Sequence, residues 1–183
     1  MHVAMSELEA GLAYIKESPK VEGTVELIVC RPNTNEREVL SEGELCVEKG
    51  LIGDNWFDRG YKKRADGSAH PDMQINIMNA RVANVLAVTK ERWPLAGDQF
   101  YVDFDLSKAH VPPGTRLAIG EAVLEVTEEP HLGCKKFKER YGKDAVLYVN
   151  SEEGKALNLR GINAKVVKPG AVKQGAVVKI VNE

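Results

Sequence analysis

The sequence predicts a mainly β fold: a closed or nearly closed barrel with a few short peripheral helices. Short apolar or alternating runs rich in Val, Ile and Leu recur along the chain at fairly even spacing. Gly, Pro and Asn clusters punctuate them, and only brief helical stretches lie between. No internal repeat or low-complexity linker breaks the pattern. At 183 residues, 43% of them hydrophobic and 28% charged, the chain is long enough for one domain with its own core.

Ser6-Glu7-Leu8-Glu9 has the form of a capping box, with Ser6 at the N-cap and Glu9 at N3. Leu8, Leu12 and Ile15 follow at helical spacing until Ser18-Pro19, so residues 1–19 are expected to form a helical extension and 20–182 the barrel body. Thr24–Cys30 is a β-branched strand ended by Arg31-Pro32-Asn33, and Arg37–Leu40 and Gly43–Val47 are short strands between polar turns. Cys30 and Cys46 sit inside these apolar patterns and read as packing residues. The loop Gly50–Gly60 runs into Tyr61-Lys62-Lys63-Arg64. It carries a basic cluster with Arg59 and offers Trp56 as a stacking face for a heteroaromatic ring; the plainer alternative is an exposed loop whose aromatics cover the edge of the core. Asp72–Met78 alternates as a strand with Gln74 and Asn76 on one face, and Asn79 is a good N-cap for Ala80–Val88, stopped by Pro94. Phe100–Leu106 alternates again. Arg116–Ile119 and Ala122–Thr127 flank Gly120-Glu121, a pair suited to a two-residue hairpin. Asp144–Leu157 reads as helix, and Ala164–Val167 and Ala176–Val181 as closing strands.

Net charge of −2 gives no reason to expect nucleic acid or a membrane surface as the main partner. Three cysteines without paired spacing argue against a disulfide framework and for a reducing compartment, and no signal-peptide pattern or membrane-length apolar stretch is visible. A cytoplasmic location is the expectation.

The chemistry concentrates at Glu129–Tyr141, where Cys134 stands at a Pro/Gly-broken turn before Lys135, Lys136, Lys138 and Arg140. Nearby cations and a helix N-terminus favour thiolate, the form that acts as nucleophile or metal ligand. The plain alternative is a packed cysteine beside a solvated lysine face, which would make the protein a non-catalytic binding or adaptor barrel. A zinc site is a weaker idea: His131 and Cys134 supply two ligands, His70 is the one other loop histidine with polar neighbours, and three ligands are the minimum for a catalytic zinc.

Several pieces in order resemble one family. They are Gly50-Leu51-Ile52-Gly53-Asp54, the Gly97-Asp98-Gln99 turn, Pro113–Thr127, Glu129-Pro130…Cys134-Lys135-Lys136 and Arg160-Gly161…Ala164-Lys165-Val166, ending at Gly170 and Gly175. Together they resemble the MOSC domain, named for the C-terminal domain of molybdenum cofactor sulfurases, over roughly residues 20 to 182. Where the family often has Pro before its cysteine, this chain has Gly133; the family's Gly-Glu-Asn-Leu-like turn is Gly97-Asp98-Gln99-Phe100 here, and its late Gly-Asp is Gly175-Ala176.

The resemblance implies a β barrel with one cysteine at the mouth of a cleft. That cysteine would carry sulfur as a persulfide, or would hold the molybdenum of a pterin cofactor (molybdopterin); some members reduce N-hydroxylated compounds. Cys134 is then the catalytic residue and possible molybdenum ligand, a task for soft thiolate. Asp54, Trp56, Arg59, Lys63, Gln74, Asn76, Lys135 and Arg160 are the candidate cofactor-binding residues, the cations serving the cofactor's phosphate. Full-length sulfurases add a pyridoxal-phosphate domain, for which this chain is too short. The expected partners are therefore a sulfur donor such as a cysteine desulfurase, a molybdoenzyme, or an electron-donor protein.

Overall fold

The computed structural model describes residues 1–182. Two short helices, α1 (Met5–Ala10) and α2 (Leu12–Lys16), precede the sheet strands β1 (Gly23–Cys30), β2 (Glu38–Leu40), β3 (Glu42–Cys46) and β4 (Gly50–Leu51). After α3 (Trp56–Arg59) come β5 (Ile75–Asn79), α4 (Ala80–Ala87), a 3-10 stretch at Lys90–Ala96 and β6 (Phe100–Asp103). The hairpin β7 (Arg116–Ile119) and β8 (Ala122–Val126) leads to α5 (Lys135–Tyr141), α6 (Lys143–Asn150) and α7 (Glu152–Ala156). β9 (Ile162–Lys168), β10 (Gly170–Lys173) and β11 (Val177–Val181) complete the chain.

The sheet order is β11-β7-β8-β9-β5-β6-β1-β2, and β11 also pairs with β1. That second pairing closes seven strands into a barrel and leaves β2 as a flap on β1. Closure removes the open edges that an antiparallel sheet would otherwise expose. Among the described residues only β5 and β6 run parallel, joined by a crossover through α4 and the 3-10 stretch. A separate three-stranded sheet, β10-β3-β4, sends Leu45, Leu51 and Val172 into the barrel interior.

Alternation along the strands fills two cores. In β6, Phe100 and Val102 point into the barrel, while Tyr101 faces outward into the layer under the helices. Ile28 and Cys30 of β1 likewise point in, with Leu27 and Val29 facing out. The outer layer is completed by Leu8, Leu86, Phe137, Tyr141 and Val149. These strands are covered on both faces, which explains why β5 is buried throughout.

The mainly β expectation holds, with local differences. The first helix begins before Ser6: the Ala4 N–H donates to Glu7 Oε2 at 3.2 Å, so Glu7 takes the role expected of Glu9. The strand expected from Asp72 begins at Ile75, because His70 Nδ1 accepts from the Asp72 N–H and folds Pro71–Met73 into a 3-10 turn. Asn79 does cap α4, accepting from the Arg81 N–H at 2.8 Å. The helix expected over Asp144–Leu157 breaks at Ser151, whose hydroxyl caps α7 by accepting from the Gly154 N–H. β10 was not anticipated.

Candidate functional site

Four arginines converge on one turn. Arg37 Nε donates to the Pro94 carbonyl at 3.1 Å, Arg140 Nη1 to Leu95 at 2.8 Å, Arg160 Nη2 to Ala96 at 2.8 Å and Arg31 Nη1 to Gly97 at 3.0 Å. Four consecutive carbonyls thus each hold a different guanidinium, over the last three residues of the 3-10 stretch and Gly97 after it. Gly97 makes the approach possible: its φ is +90°, and a Cβ there would lie 3.3 Å from Arg37 Nη2.

The two inner arginines are neutralised. Arg31 meets Asp54 through Nε–Oδ1 and Nη2–Oδ2, both at 2.8 Å, and its backbone N–H donates to the same carboxylate. This is the forked geometry that makes Arg–carboxylate pairs strong. Arg31 Nη1 also reaches Asn76 Oδ1, whose amide bonds Asn163, and Gln99 bridges Asn76, Gln74 and Asp54. Arg160 Nη1 binds Asp98 Oδ2 at 2.6 Å and stacks over Phe137. The other Asp98 oxygen takes His131 Nε2 at 2.8 Å. Burial works against a charged Asp98, but Arg160 and His131 outweigh it and hold the carboxyl down at about 2. Burial and the Arg160 charge pull His131 below its ordinary value, so a neutral imidazole donates its Nε2–H to Asp98.

The outer arginines are not neutralised. Among the described residues, no carboxylate lies within 4.0 Å of Arg37, Arg140 or Arg59. Arg37 falls below its ordinary value through burial and then the fields of Arg140 and Arg31, and Arg59 through burial and Arg31. Cations held in one another's field form a ready seat for an anion.

Cys134 is exposed at the N-cap of α5, six residues before Arg140 on the same helix. A clamp fixes the residue before it: Asn150 Oδ1 accepts from the Gly133 N–H at 2.8 Å, and Asn150 Nδ2 donates to the Gly133 carbonyl at 3.0 Å. A Cβ at Gly133 would lie 3.0 Å from Val149 Cγ2. Proline, the family's frequent residue here, has no N–H to give Asn150. Cys30 is buried, and burial followed by Asp54 pushes its thiol up to about 11. Cys46 is half-buried, and no group of three His, Cys, Asp or Glu side chains among the described residues is placed to hold a metal ion.

The family matches residues 68–179 under the description MOSC domain, more than half of the chain. This protein belongs to the MOSC domain family. The family is associated with the molybdenum cofactor. The MOSC fold here is similar to YuaD of Bacillus subtilis, at 16% identity and TM-score 0.61 over 87% of this chain and 96% of that one. It is also similar to YiiM of Escherichia coli (20% identity, TM-score 0.56, 87% and 70% covered) and YiiM of Geobacillus stearothermophilus (13%, 0.57, 87% and 75%). At these identities the likeness is one of fold. No curated protein matches the sequence.

The MOSC residues singled out in the sequence fall into two groups. Asp54, Gln74, Asn76 and Arg160 are buried and bonded to protein groups through their side chains, Arg160 through Nη1 and Nη2 but not Nε. Lys63 and Lys135 are exposed; Arg59 also reaches the surface, although protein around its guanidinium removes part of its water. Trp56 is 6% exposed, and the accessible ring of that loop is its neighbour Phe57, with Lys49 over it. Arg31, Arg37 and the Asp98–His131 pair were missed as a set, because each makes its contact across a long sequence separation. The signal available was an isolated charge in an apolar run, as at Arg160 and Asp98.

Proposed function

We propose that this MOSC domain holds a molybdenum cofactor, with the Cys134 thiolate as the metal's protein ligand and Arg37 and Arg140 as the seat of the cofactor's phosphate. The observation that supports this is the pair of guanidiniums without carboxylate partners, at Gly97 and on the helix that Cys134 opens. The donor set fits the group: a soft, accessible thiol suits molybdenum, and forked guanidiniums suit phosphate. Helix rise separates Cys134 from Arg140 by about 9 Å along the axis of α5, so metal ligand and phosphate seat are distinct ends of one site. Arg59 extends the positive field. Asp54 and Asp98 hold Arg31 and Arg160 rigid, so the carbonyl turn keeps its shape when an anion arrives.

When bound, the cofactor would supply a redox-active metal centre. Reduction of N-hydroxylated compounds, fed by an electron-donor protein, is the activity such a centre would serve. A persulfide on Cys134, loaded by a cysteine desulfurase, needs only the exposed thiol and leaves the two guanidiniums without a role. The cofactor reading is therefore preferred.

Arg37→Gln and Arg140→Gln test it. Glutamine keeps a donor for the Pro94 or Leu95 carbonyl and removes the charge. Each variant, refolded or expressed with cofactor supplied, is expected to retain less molybdopterin than the parent, measured by pterin fluorescence after oxidation. Retention equal to the parent in both variants would remove these arginines from the site.

A further inference from the structure

A cavity of about 480 Å³ lies beside this site, and Cys134 is not among its lining residues. Such a volume lies within the range of small-molecule pockets. Its walls include Val111, Pro113 and Ile162, and its polar lining includes Lys108, Lys155 and His131. The Lys108 N–H donates to the Ala156 carbonyl at 3.0 Å, so the two lysine-bearing segments meet at one end of the cavity. Neither lysine has a carboxylate within 4.0 Å among the described residues; of the cavity's two acids, Glu129 is turned to His70 at 3.4 Å and Glu128 is exposed.

His131 is built into this wall. Asp98, with no side-chain exposure, takes its Nε2, which leaves Nδ1 as the acceptor. Among the described residues Nδ1 has no hydrogen-bond partner, and the side chain keeps 15% of its surface accessible. The ring packs on Gly161, where φ is +122° and a Cβ would lie 3.0 Å from His131 Cδ2 and 2.4 Å from the Ile77 carbonyl oxygen. Only glycine lets the imidazole sit there. The carboxylate below it fixes which nitrogen is free.

We infer that this cavity is a binding site for a small carboxylate with an apolar body and a hydroxyl or N–H donor, the donor meeting His131 Nδ1 and the carboxylate meeting Lys108 and Lys155. The ligand would abut the wall that leads through Leu132 and Gly133 to Cys134. The inference stands independently of the cofactor reading, since no molybdenum is needed to test it.

The test uses 4-hydroxybenzoate as probe, with 4-methoxybenzoate and methyl 4-hydroxybenzoate as controls, titrated into the protein labelled with ¹⁵N in histidine. Binding should weaken about tenfold when either the donor or the carboxylate is blocked, the worth of one hydrogen bond or ion contact. The His131 Nδ1 resonance should move on titration while Nε2 stays in place. His131→Gln, which keeps a side-chain N–H donor, and the surface double variant Lys108→Ala/Lys155→Ala should each weaken the probe similarly. No binding by 4-hydroxybenzoate, equal affinity for all three compounds, or a stationary Nδ1 resonance would overturn the inference. The labelled parent protein gives this answer even where His131→Gln does not fold.

Discussion

Asp98 is the residue on which the inner part of the site depends. It is fully buried and shared by Arg160 and His131, so removing its charge strands a guanidinium in the interior. Breaking one partner of a buried pair costs about 3–5 kcal/mol. Asp98→Asn should lose about that much stability in urea denaturation, whereas a surface variant such as Lys63→Ala should stay within about 0.5 kcal/mol. The acid response follows from the same contacts. Asp98 titrates lower folded than unfolded, so its contribution is present above its ordinary value of 3.8 and is lost as pH falls towards about 2. His131 is also lowered, so the unfolded chain binds its proton first, and stability begins to fall as pH drops below 6.5. Both act in one direction. Stability measured from pH 7 to 3 should decline steadily, and in Asp98→Asn the decline below pH 4 should be shallower. An unchanged acid limb in that variant would remove Asp98 as its source.

The element that presents Cys134 is the turn before α5, and it is held by a neighbour rather than by its own sequence. Asn150, at the end of α6, bonds both backbone groups of Gly133 as a strand partner would. Asn150→Ala frees that turn without touching the thiol. The expected result is a changed rate of Cys134 alkylation by iodoacetamide, with Cys30 still protected and the melting temperature only slightly lowered. An identical Cys134 rate would show that α5 alone fixes the thiol. Local sequence announced Cys134, Gly133 and the short helix, because a glycine break and a cationic turn are local signals. It did not announce Asn150. Nor did it announce the four arginines on Pro94–Gly97, whose partners lie 45 to 66 residues away. The strand alternation at Phe100–Asp103 and the Gly120-Glu121 hairpin were legible for the opposite reason: their periodicity and turn chemistry are complete within a few residues.

Across the whole molecule, barrel closure by β11 on β1 and the helical layer outside it bring the end of β1, the turn after Ala96 and the start of α5 to one place. The fold class could be read from strand spacing, but closure depends on pairing Gly23 with Val178, which no local pattern encodes. The site depends on long-range pairing too: Arg31 just after β1, Arg37 from the following loop and Arg140 from α5 meet at the turn that leads into β6, the strand that the end of β1 pairs with. The central claim is that Cys134 then serves the cofactor rather than the core. The most direct test is molybdenum per chain by elemental analysis, together with thermal melting, on cofactor-loaded parent protein and Cys134→Ser. The account predicts molybdenum in the parent, its loss in Cys134→Ser and a stability change of about 1 kcal/mol or less, as befits an exposed position. Molybdenum retained by Cys134→Ser at the parent's level would contradict it.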